Sequence, residues 1–376
     1  MNKLSSSVFL KKLMDASRAN AYSGLIWATT RLQGAARPLP PQAEYAKPPS
    51  TDNPLYNDSH YFNFFDHQKQ FGGFTRIGKL GNQNASVGLF ALYDSNRQTL
   101  LFAQSEHIAR DLTDIRSSTI RYEILEPLKK LRIVAQGKFL TLPDPGQLSD
   151  PHSLCEQLTE ENFVDVEAEL LFDGWGEVHN SKKLYARGLG RRMVEKGFGL
   201  RDLAEARKFA SEHYEQVGSY EGVIRIGSRE IVLNDATGHR DHSWGPRDMS
   251  AIEAWTWLTV QFGPDVAVNL ACFKAGRLDI FGGTTCRNGR NYPLRRQELQ
   301  TEFRDDGLTQ KSLRFSVEDI GGFRMEVEGH VLNSLPLVVF DDGTTRTLAF
   351  EAMTEYRWQG RTACGISEYV HRIRKG

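Results

Sequence analysis

The residues best suited to handle a proton lie together in one stretch, Gly238–Asp248 (GHRDHSWGPRD), which we call the central motif. It contains two histidines, two aspartates, two arginines and one tryptophan. It follows an alternating segment, Gly222–Asn234, that is typical of a strand. Histidine and carboxylate side chains are common general acids and bases in enzymes. If the protein is an enzyme, we expect its chemistry in this motif.

An extended backbone divides the central motif into two faces, because alternate side chains of a strand point to opposite sides. One face then carries Arg240, His242 and Trp244, and the other carries His239, Asp241 and Ser243. No metal site is predicted from His239, Asp241 and His242, since adjacent residues point apart. The same alternation separates Asp241 from His242 unless the strand bulges or ends between them.

Each face has a candidate role. Asp241 is a candidate proton donor if burial raises its pKa, or an orienting group for a histidine if it stays ionised. His242 and Trp244 are candidate pocket residues, and an aromatic face stabilises a nearby cation by about 0.5–2 kcal/mol. The remaining charged residues are interpreted as a network that ties the following turn to the strand: Arg240, Arg247 and Asp248.

Further candidates lie on neighbouring predicted strands. Glu215 is either a buried acid with partners or a second proton-handling group, and Tyr214 precedes it. Trp255 and Trp257 share a face and either line a cavity or belong to the core. Glu368, in the last predicted strand, is interpreted as part of barrel closure.

Composition indicates a soluble globular chain of two domains. The 376 residues exceed the usual size of one domain, and 40% are hydrophobic and 25% charged. The formal net charge is zero, so no overall field attracts nucleic acid. Four scattered cysteines without a CxxC pair predict neither a disulfide framework nor a structural zinc site. No secretory signal is recognisable, so a cytoplasmic protein is expected.

Residues 4–33 have the spacing of an amphipathic helix with an excess of basic side chains. Such a helix binds either an anionic membrane surface or a protein surface, and both alternatives stay open here. Peripheral membrane contact through residues 4–33 is therefore one of two expectations. The proline-rich residues 37–54 are predicted to form an extended linker. Residues 1–54 are accordingly set apart from the domains that follow.

From Ser59 onward, short alternating segments separated by Gly, Asn and Asp predict an antiparallel barrel or sandwich. Residues 181–213 are the exception: they are basic, then helical from Leu200 to Ser211, and are interpreted as a connector. The predicted class is all-β, with two tandem domains. The first spans residues 55–205 with the connector, and the second spans residues 206–376 with the central motif.

Three segments have a familiar pattern: SHYFNFFDHQKQFGGFTRIG, HYEQ followed by the central motif, and the ending EYRWQGRTACGISEY. Together they resemble the carotenoid 1,2-hydratase-like superfamily, over about residues 55–376. The resemblance implies two tandem lipocalin-like domains that hold a hydrophobic ligand in or between two barrels. Members include hydratases of isoprenoid double bonds, and the architecture is similar to that of fungal Diels–Alderases that shape polyenes.

The resemblance also implies site residues. In the hydratases a His-x-Trp pair helps the reaction, and His242–Trp244 matches it. A carboxylic acid from a nearby strand is thought there to protonate the double bond before water adds. In this chain the next strand region, DVAVNLACF, supplies only Asp265 at its edge and Asn269 inside. This departure from the family pattern moves the expected acid to Asp241 or Glu215.

Three functions are compatible with these residues. The leading hypothesis is a cofactor-independent enzyme that hydrates or cyclises an isoprenoid or another apolar polyene. In it Asp241 is the acid, His242 is its partner, and Trp244 is the wall that stabilises a cation. The alternatives are a pericyclase that only folds a polyene and a non-catalytic carrier of lipids or isoprenoids. The residues expected to line the ligand are His239, Tyr214, Trp255, Trp257 and Asn269.

Overall fold

The computed structural model describes residues 11, 14–25, 38–49, 52–94, 99–107, 114–180, 193–195, 197–199, 212–275 and 278–374. The strands within these ranges are β1 (Tyr56–Asp66), β2 (Phe71–Leu80), β3 (Ala85–Tyr93), β4 (Thr99–His107), β5 (Ile115–Ser117), β6 (Ile120–Glu126), β7 (Lys130–Leu142), β8 (Phe163–Gly174), β9 (His179–Asn180), β10 (Glu212–Ile226), β11 (Arg229–Pro246), β12 (Ala254–Gln261), β13 (Val266–Ala275), β14 (Leu278–Arg287), β15 (Arg290–Phe303), β16 (Gln310–Asp319), β17 (Arg324–Asp341), β18 (Thr345–Trp358) and β19 (Arg361–Arg374). Residues 14–25 are helical (α1), and a second helix spans Pro151–Gln157 (α2). Short 3-10 helices lie at Pro41–Glu44, Gly81–Gln83, Pro145–Ser149, Glu160–Asn162 and Met249–Ala251.

The strands form two antiparallel sheets. In the first sheet, neighbours follow the order β4-β3-β2-β1-β11-β10-β8-β7-β6-β5, and a further pairing of β4 with β7 closes the sheet on itself. The second sheet is a closed barrel in which β12 to β19 follow one another in chain order. The expected all-β class with two tandem lipocalin-like domains is confirmed.

The strands β10 and β11 belong to the first sheet, although they follow the connector in sequence. β11 pairs with β1, and β10 pairs with β8. The second barrel begins only at Ala254. This corrects the expected boundary after residue 205, which assigned the central motif to the second domain. The two strands fill the gap between β1 and β8, where unpaired strand edges would leave backbone groups without partners. The helix predicted at Leu200–Ser211 lies outside the described residues.

Residues 38–49 are folded onto the first barrel and do not form the extended linker that their prolines suggested. Pro41 opens a 3-10 helix, where its fixed φ suits the first turn. Glu44, at the end of that helix, is fully buried. Part of the predicted N-terminal helix is present at residues 14–25. None of the described helices is both long and apolar enough to cross a membrane.

Three large apolar clusters lie among the described residues. The inward side chains of the first sheet fill its interior with aromatic groups such as Phe64 and Phe90. Those of the second barrel do the same with residues such as Leu270 and Phe315. A third cluster takes residues from both domains and packs their outer faces together: it includes Tyr61, Phe74, Tyr93, Trp257, Leu335 and Met353. The third cluster therefore holds the outer faces of the two barrels against each other.

Candidate active site

The central motif lies on β11, between β1 and β10. Its register is continuous against β1 from Thr237 to Pro246 and against β10 from Ala236 to Trp244. The single shift in the β10–β11 pairing falls elsewhere, between Tyr220 and Gly222. No bulge therefore brings Asp241 and His242 to the same face. The hypothesis that they act together in one site is corrected by this geometry.

His242 points into the end of the first barrel, where it meets two residues of β1. Its Nε2 lies 3.0 Å from Oδ1 of Asp58. Its ring stacks on that of His60, with centroids 3.7 Å apart and planes 19° apart. Burial, and then the proximity of His242, lower the pKa of His60 to about 3. Burial alone would raise the pKa of Asp58, but His242, His60 and the backbone N–H of Lys47 together hold it below its usual value. His60 is thus neutral and Asp58 ionised near pH 7.

Arg240, on the same inner face, makes a buried ion pair with Glu44. Its Nη1 donates to both carboxylate oxygens, at 2.7 and 2.9 Å. Its Nε and Nη2 donate to Oε1 of Gln216, at 2.9 and 2.7 Å. The Tyr214 hydroxyl donates to the same carboxylate at 3.0 Å. Arg240 and Glu44 are 1% and 0% exposed, so the pair is sealed from solvent. We name Glu44, Asp58, His60, Tyr214, Arg240 and His242 the inner network.

The inner network fits a scaffold better than a substrate pocket. His242 is only 1% exposed, and Tyr214 and Trp244 pack against its ring. Trp244 is half-buried, with the Lys47 ammonium 5.7 Å from its ring centroid. Donor atoms of Asp58, His60 and His242 lie within 4.8 Å of one another, a spacing that a metal ion could use. The stacked imidazole rings, however, lie in nearly parallel planes with centroids 3.7 Å apart, so their in-plane lone pairs do not converge on one point.

The outer face of the first sheet carries a row of polar side chains across four strands. Arg76 on β2 is opposite Tyr61 on β1, which is opposite Asp241 on β11, which is opposite Glu215 on β10. Directly opposite residues of antiparallel strands share a face and lie close together. His239, two residues before Asp241, lies on the same face. This face looks toward the second barrel.

A second row faces it from the second barrel. Trp257 on β12 is opposite Glu368 on β19, which is opposite Glu351 on β18. The two rows touch: the Tyr61 hydroxyl donates to Oε2 of Glu351 at 3.3 Å, and its ring meets that of Trp257 edge-on at 5.4 Å. The Trp257 indole N–H donates at 3.0 Å to Asn269, whose amide donates to Glu215. We name these two rows, with His239 and Asn269, the interbarrel site.

Glu351 and Glu368 are directly opposite each other on β18 and β19, and each carboxyl group affects the pKa of the other. Burial, and then the charge of Glu368, raise the pKa of Glu351 well above its ordinary value. Burial also raises the pKa of Glu368, to about 7. Two adjacent carboxylates cannot both ionise cheaply in a buried site, so the pair retains a proton near neutral pH. The interbarrel site therefore contains a carboxylic acid ready to donate a proton.

The two carboxylates on the other side of the site differ from that pair. Burial would raise the pKa of Glu215, but His239, whose Nε2 lies 3.9 Å from its carboxylate, and the charges of other nearby histidines lower it to about 2. Glu215 is therefore ionised and unsuited to donate a proton, contrary to one expectation from the sequence. Burial raises the pKa of Asp241, which is half-buried and accepts a hydrogen bond from the Ser243 hydroxyl at 3.0 Å. His213, Glu215 and Asp241 also have donor atoms within 4.8 Å, so they are the residues that could hold a divalent ion here.

The remaining predicted residues lie around these two groups. Arg247 donates to the Ser243 hydroxyl at 2.6 Å and so braces the strand end. Asp248 caps the 3-10 helix that follows, accepting from the Ser250 N–H at 2.9 Å. Trp255 is half-buried against Phe273 on the outer face of the second barrel.

Sequence reasoning missed several residues that the fold brings to these sites: Glu44, Asp58, His60, Arg76 and Glu351. It also interpreted Glu368 as part of barrel closure only, although its carboxyl faces the site. One signal was present for the pair. Glu351 and Glu368 interrupt otherwise apolar or small-residue stretches of strand, where a buried charge is costly unless it is partnered or protonated.

Solved structures share this fold. A protein assigned to the AttH type from Nitrosomonas europaea has a TM-score of 0.57 at 12% identity, covering 89% of this chain and 97% of its own. Kievitone hydratase from Nectria haematococca has a TM-score of 0.55 at 11% identity, covering 91% and 94%. CghA, in a structure with Sch210972, has a TM-score of 0.50 at 10% identity, covering 85% and 89%. The likeness to the carotenoid 1,2-hydratase-like group is thereby confirmed at the level of the fold.

The search of curated proteins returned no match to this chain. A family model does match, over residues 40–373. That span begins within the segment that carries Glu44 and ends in β19, so it includes both barrels, the inner network and the interbarrel site. The chain belongs to the family described as a domain of unknown function, DUF7064.

Proposed function

We propose that this protein is a cofactor-independent enzyme that adds water to, or closes a ring at, a carbon–carbon double bond of a largely apolar substrate bound between the two barrels. The observation that carries the proposal is the position of Glu351 and Glu368, directly opposite each other on β18 and β19 in the interbarrel site. The fold is also that of a hydratase, kievitone hydratase, and this supports hydration as a chemistry that the architecture can house.

The carboxyl pair is the proton donor in this proposal. Protonating carbon requires an acid that is still protonated at working pH and a site from which bulk water is largely excluded. Glu351 is 6% exposed and receives the Tyr61 hydrogen bond, which holds its carboxyl toward the first barrel. Trp257 and Tyr61 supply aromatic surface beside it, against which an apolar chain can pack.

Asp241 is the proton acceptor. It lies next to Tyr61 across the β1–β11 pairing, and its charge interacts with that of Glu368. In hydration, the acid pair gives a proton to one carbon, and water bonds to the other carbon while passing a proton to Asp241. Proton exchange with solvent then restores the proton of the acid pair and removes the one that Asp241 gained. If an internal double bond takes the place of water, the product is a ring and Asp241 removes the final proton.

The substrate can be identified by mass spectrometry of ligands that the protein retains when purified from its host. With that compound, Glu368→Gln and Glu351→Gln should each lower the turnover rate by at least about 100-fold, as loss of a general acid does. Asp241→Asn should lower it as well. Glu302→Gln is the matched control, because that carboxylate lies on the exposed side of the second barrel and pairs with Lys311. Circular dichroism checks that each variant folds.

The same measurements can instead favour a pericyclase or a non-catalytic carrier. Unchanged turnover in both glutamine variants, with the same product, would contradict acid catalysis and favour a scaffold that only folds a polyene. A retained ligand that never changes would favour a carrier. A product heavier by one water indicates hydration, whereas an isomer of the substrate indicates cyclisation.

A further inference from the structure

Arg76 on β2 belongs to the interbarrel site and has no role in the reaction proposed above. It is half-buried. Among the described residues, no hydrogen bond or ion pair holds its guanidinium, and only longer-range interactions with other charges act on it. Its two terminal nitrogens lie 3.0 and 3.1 Å from where a Cβ at Gly78 would stand. The absence of a side chain at position 78 thus gives the guanidinium its place on the outer face of the sheet.

A guanidinium without an acceptor among the described residues has N–H donors available to a bound group. Burial, and then the nearby Arg247, lower the pKa of Arg76 to about 10, so it is charged at neutral pH. Its charge interacts with those of Asp241, Glu368 and Glu351. A guanidinium that donates to a bound oxygen atom stabilises negative charge that develops on that atom during a reaction.

We propose that the substrate carries a carbonyl group conjugated with the reacting double bond, and that Arg76 donates N–H hydrogen bonds to its oxygen. This rests on the proposed function, whose site and acid pair it shares, and it names the substrate class: an apolar α,β-unsaturated ketone, aldehyde or ester. A neutral carbonyl fits better than a carboxylate, because Asp241 and the acid pair lie close by and would repel a full negative charge.

In this arrangement the reaction is an addition of water to the conjugated double bond. Water forms a bond to the β-carbon and gives a proton to Asp241. The electron pair of the double bond shifts to the α-carbon and onto the carbonyl oxygen, where Arg76 stabilises the developing charge. The Glu351–Glu368 pair then donates a proton to the α-carbon, and the carbonyl re-forms. No oxidant, reductant or further reactant is required.

The test uses two probes that differ only in the oxygen group: β-ionone, a conjugated ketone, and β-ionol, its alcohol. Binding to the full chain is followed by quenching of tryptophan fluorescence, and the carbonyl stretch of bound ketone by difference infrared spectroscopy. The wild type should bind the ketone at least about 10-fold more tightly than the alcohol, with the stretch shifted to lower frequency. Arg76→Met should remove both the preference and the shift, and Arg76→Lys should retain part of each. Arg225→Met, an exposed arginine on β10, is the matched control.

Equal binding of the two probes to the wild type, or no binding of either, overturns the inference. So does an Arg76→Met variant that keeps the ketone preference while melting like the wild type. The binding measurement involves no turnover, so its result is separate from the activity of the Glu351 and Glu368 variants. If Arg76→Met loses the ketone preference but the Glu351→Gln and Glu368→Gln variants turn over normally, Arg76 binds the carbonyl and acid catalysis is contradicted. If Arg76→Met keeps the preference but the two glutamine variants are inactive, acid catalysis is supported and the carbonyl substrate class is contradicted.

Discussion

Glu44 joins the segment before β1 to the first barrel through a fully buried ion pair with Arg240. Its carboxylate also accepts hydrogen bonds from the Tyr214 hydroxyl and the Leu128 N–H, at 3.0 and 2.6 Å. In a Glu44→Ala variant, the Arg240 guanidinium would stay buried with its charge uncompensated. Removal of one partner of such a pair costs about 3–5 kcal/mol. We expect a loss of that size in the free energy of unfolding at pH 7.

The contribution of the Glu44–Arg240 ion pair to the free energy of unfolding should decrease in acid. Burial alone would raise the pKa of Glu44, but the charge and hydrogen bonds of Arg240 lower it below its ordinary value of 4.5. The native state therefore binds fewer protons than the unfolded state between the folded and unfolded pKa values. The stabilisation is complete above about pH 4.5 and is lost as the pH falls through the folded value. The difference between wild type and Glu44→Ala should shrink accordingly in acid.

Urea denaturation followed by circular dichroism measures these differences. A Glu44→Met/Arg240→Met double variant should recover part of the loss, since replacing both charges by apolar groups leaves no unpaired ion. Glu167→Ala is the control, because that carboxylate is exposed and its ion pair with Arg225 spans 3.9 Å. Its effect should stay within about 1 kcal/mol. A Glu44→Ala loss below about 1 kcal/mol, or one that does not change with pH, would refute the reasoning.

Further predictions concern His60, Glu368 and Gly78. Burial lowers the pKa of His60 to about 3 from 6.5, so the unfolded state binds more protons between these values; stability should fall with decreasing pH there, by up to about 1.4 kcal/mol per pH unit, and His60→Gln should lack this limb in pH-dependent denaturation. Because the pKa of Glu368 is about 7, the turnover rate should decline above neutral pH as the acid deprotonates, and a rate that rises through this range would contradict the assignment. Gly78→Ala places a Cβ 3.0 and 3.1 Å from the terminal nitrogens of Arg76 and 3.0 Å from Oδ1 of Asn57. It should displace the guanidinium and weaken the ketone preference in the binding assay, and an unchanged preference would contradict the position given to Arg76.

The alternation of the central motif could be predicted from the sequence, because the two faces of a strand depend only on local backbone geometry. His242 and Asp241 do point in opposite directions, and β11 is extended through both. The all-β class could also be predicted, since short alternating segments recur along the whole chain. Alternation alone does not show which face of the strand points into the barrel and which face contacts the neighbouring domain.

The partners of the motif could not be predicted, because they come from distant parts of the chain. Asp58 is 184 residues from His242, and Glu44 is 196 from Arg240. Strand order decides these contacts, and here the chain returns to the first sheet after the connector. A boundary placed at the connector consequently moved β10 and β11 to the wrong domain. Glu44 was hidden for another reason: prolines around it indicated a solvated linker, whereas its charge is what anchors that segment.

The arrangement of charge, more than the motif itself, argues for where chemistry occurs. The inner network pairs each ionised group with an opposite charge or a hydrogen-bond donor, as Arg240 with Glu44 and Asp58 with His242. Such satisfied groups stabilise a fold and have little capacity left for a substrate. The interbarrel site instead holds a carboxyl pair that retains a proton near neutral pH, beside an arginine that has no ion pair among the described residues. A site that keeps an available proton and an available hydrogen-bond donor is costly for folding alone, and that cost is what a bound substrate would offset.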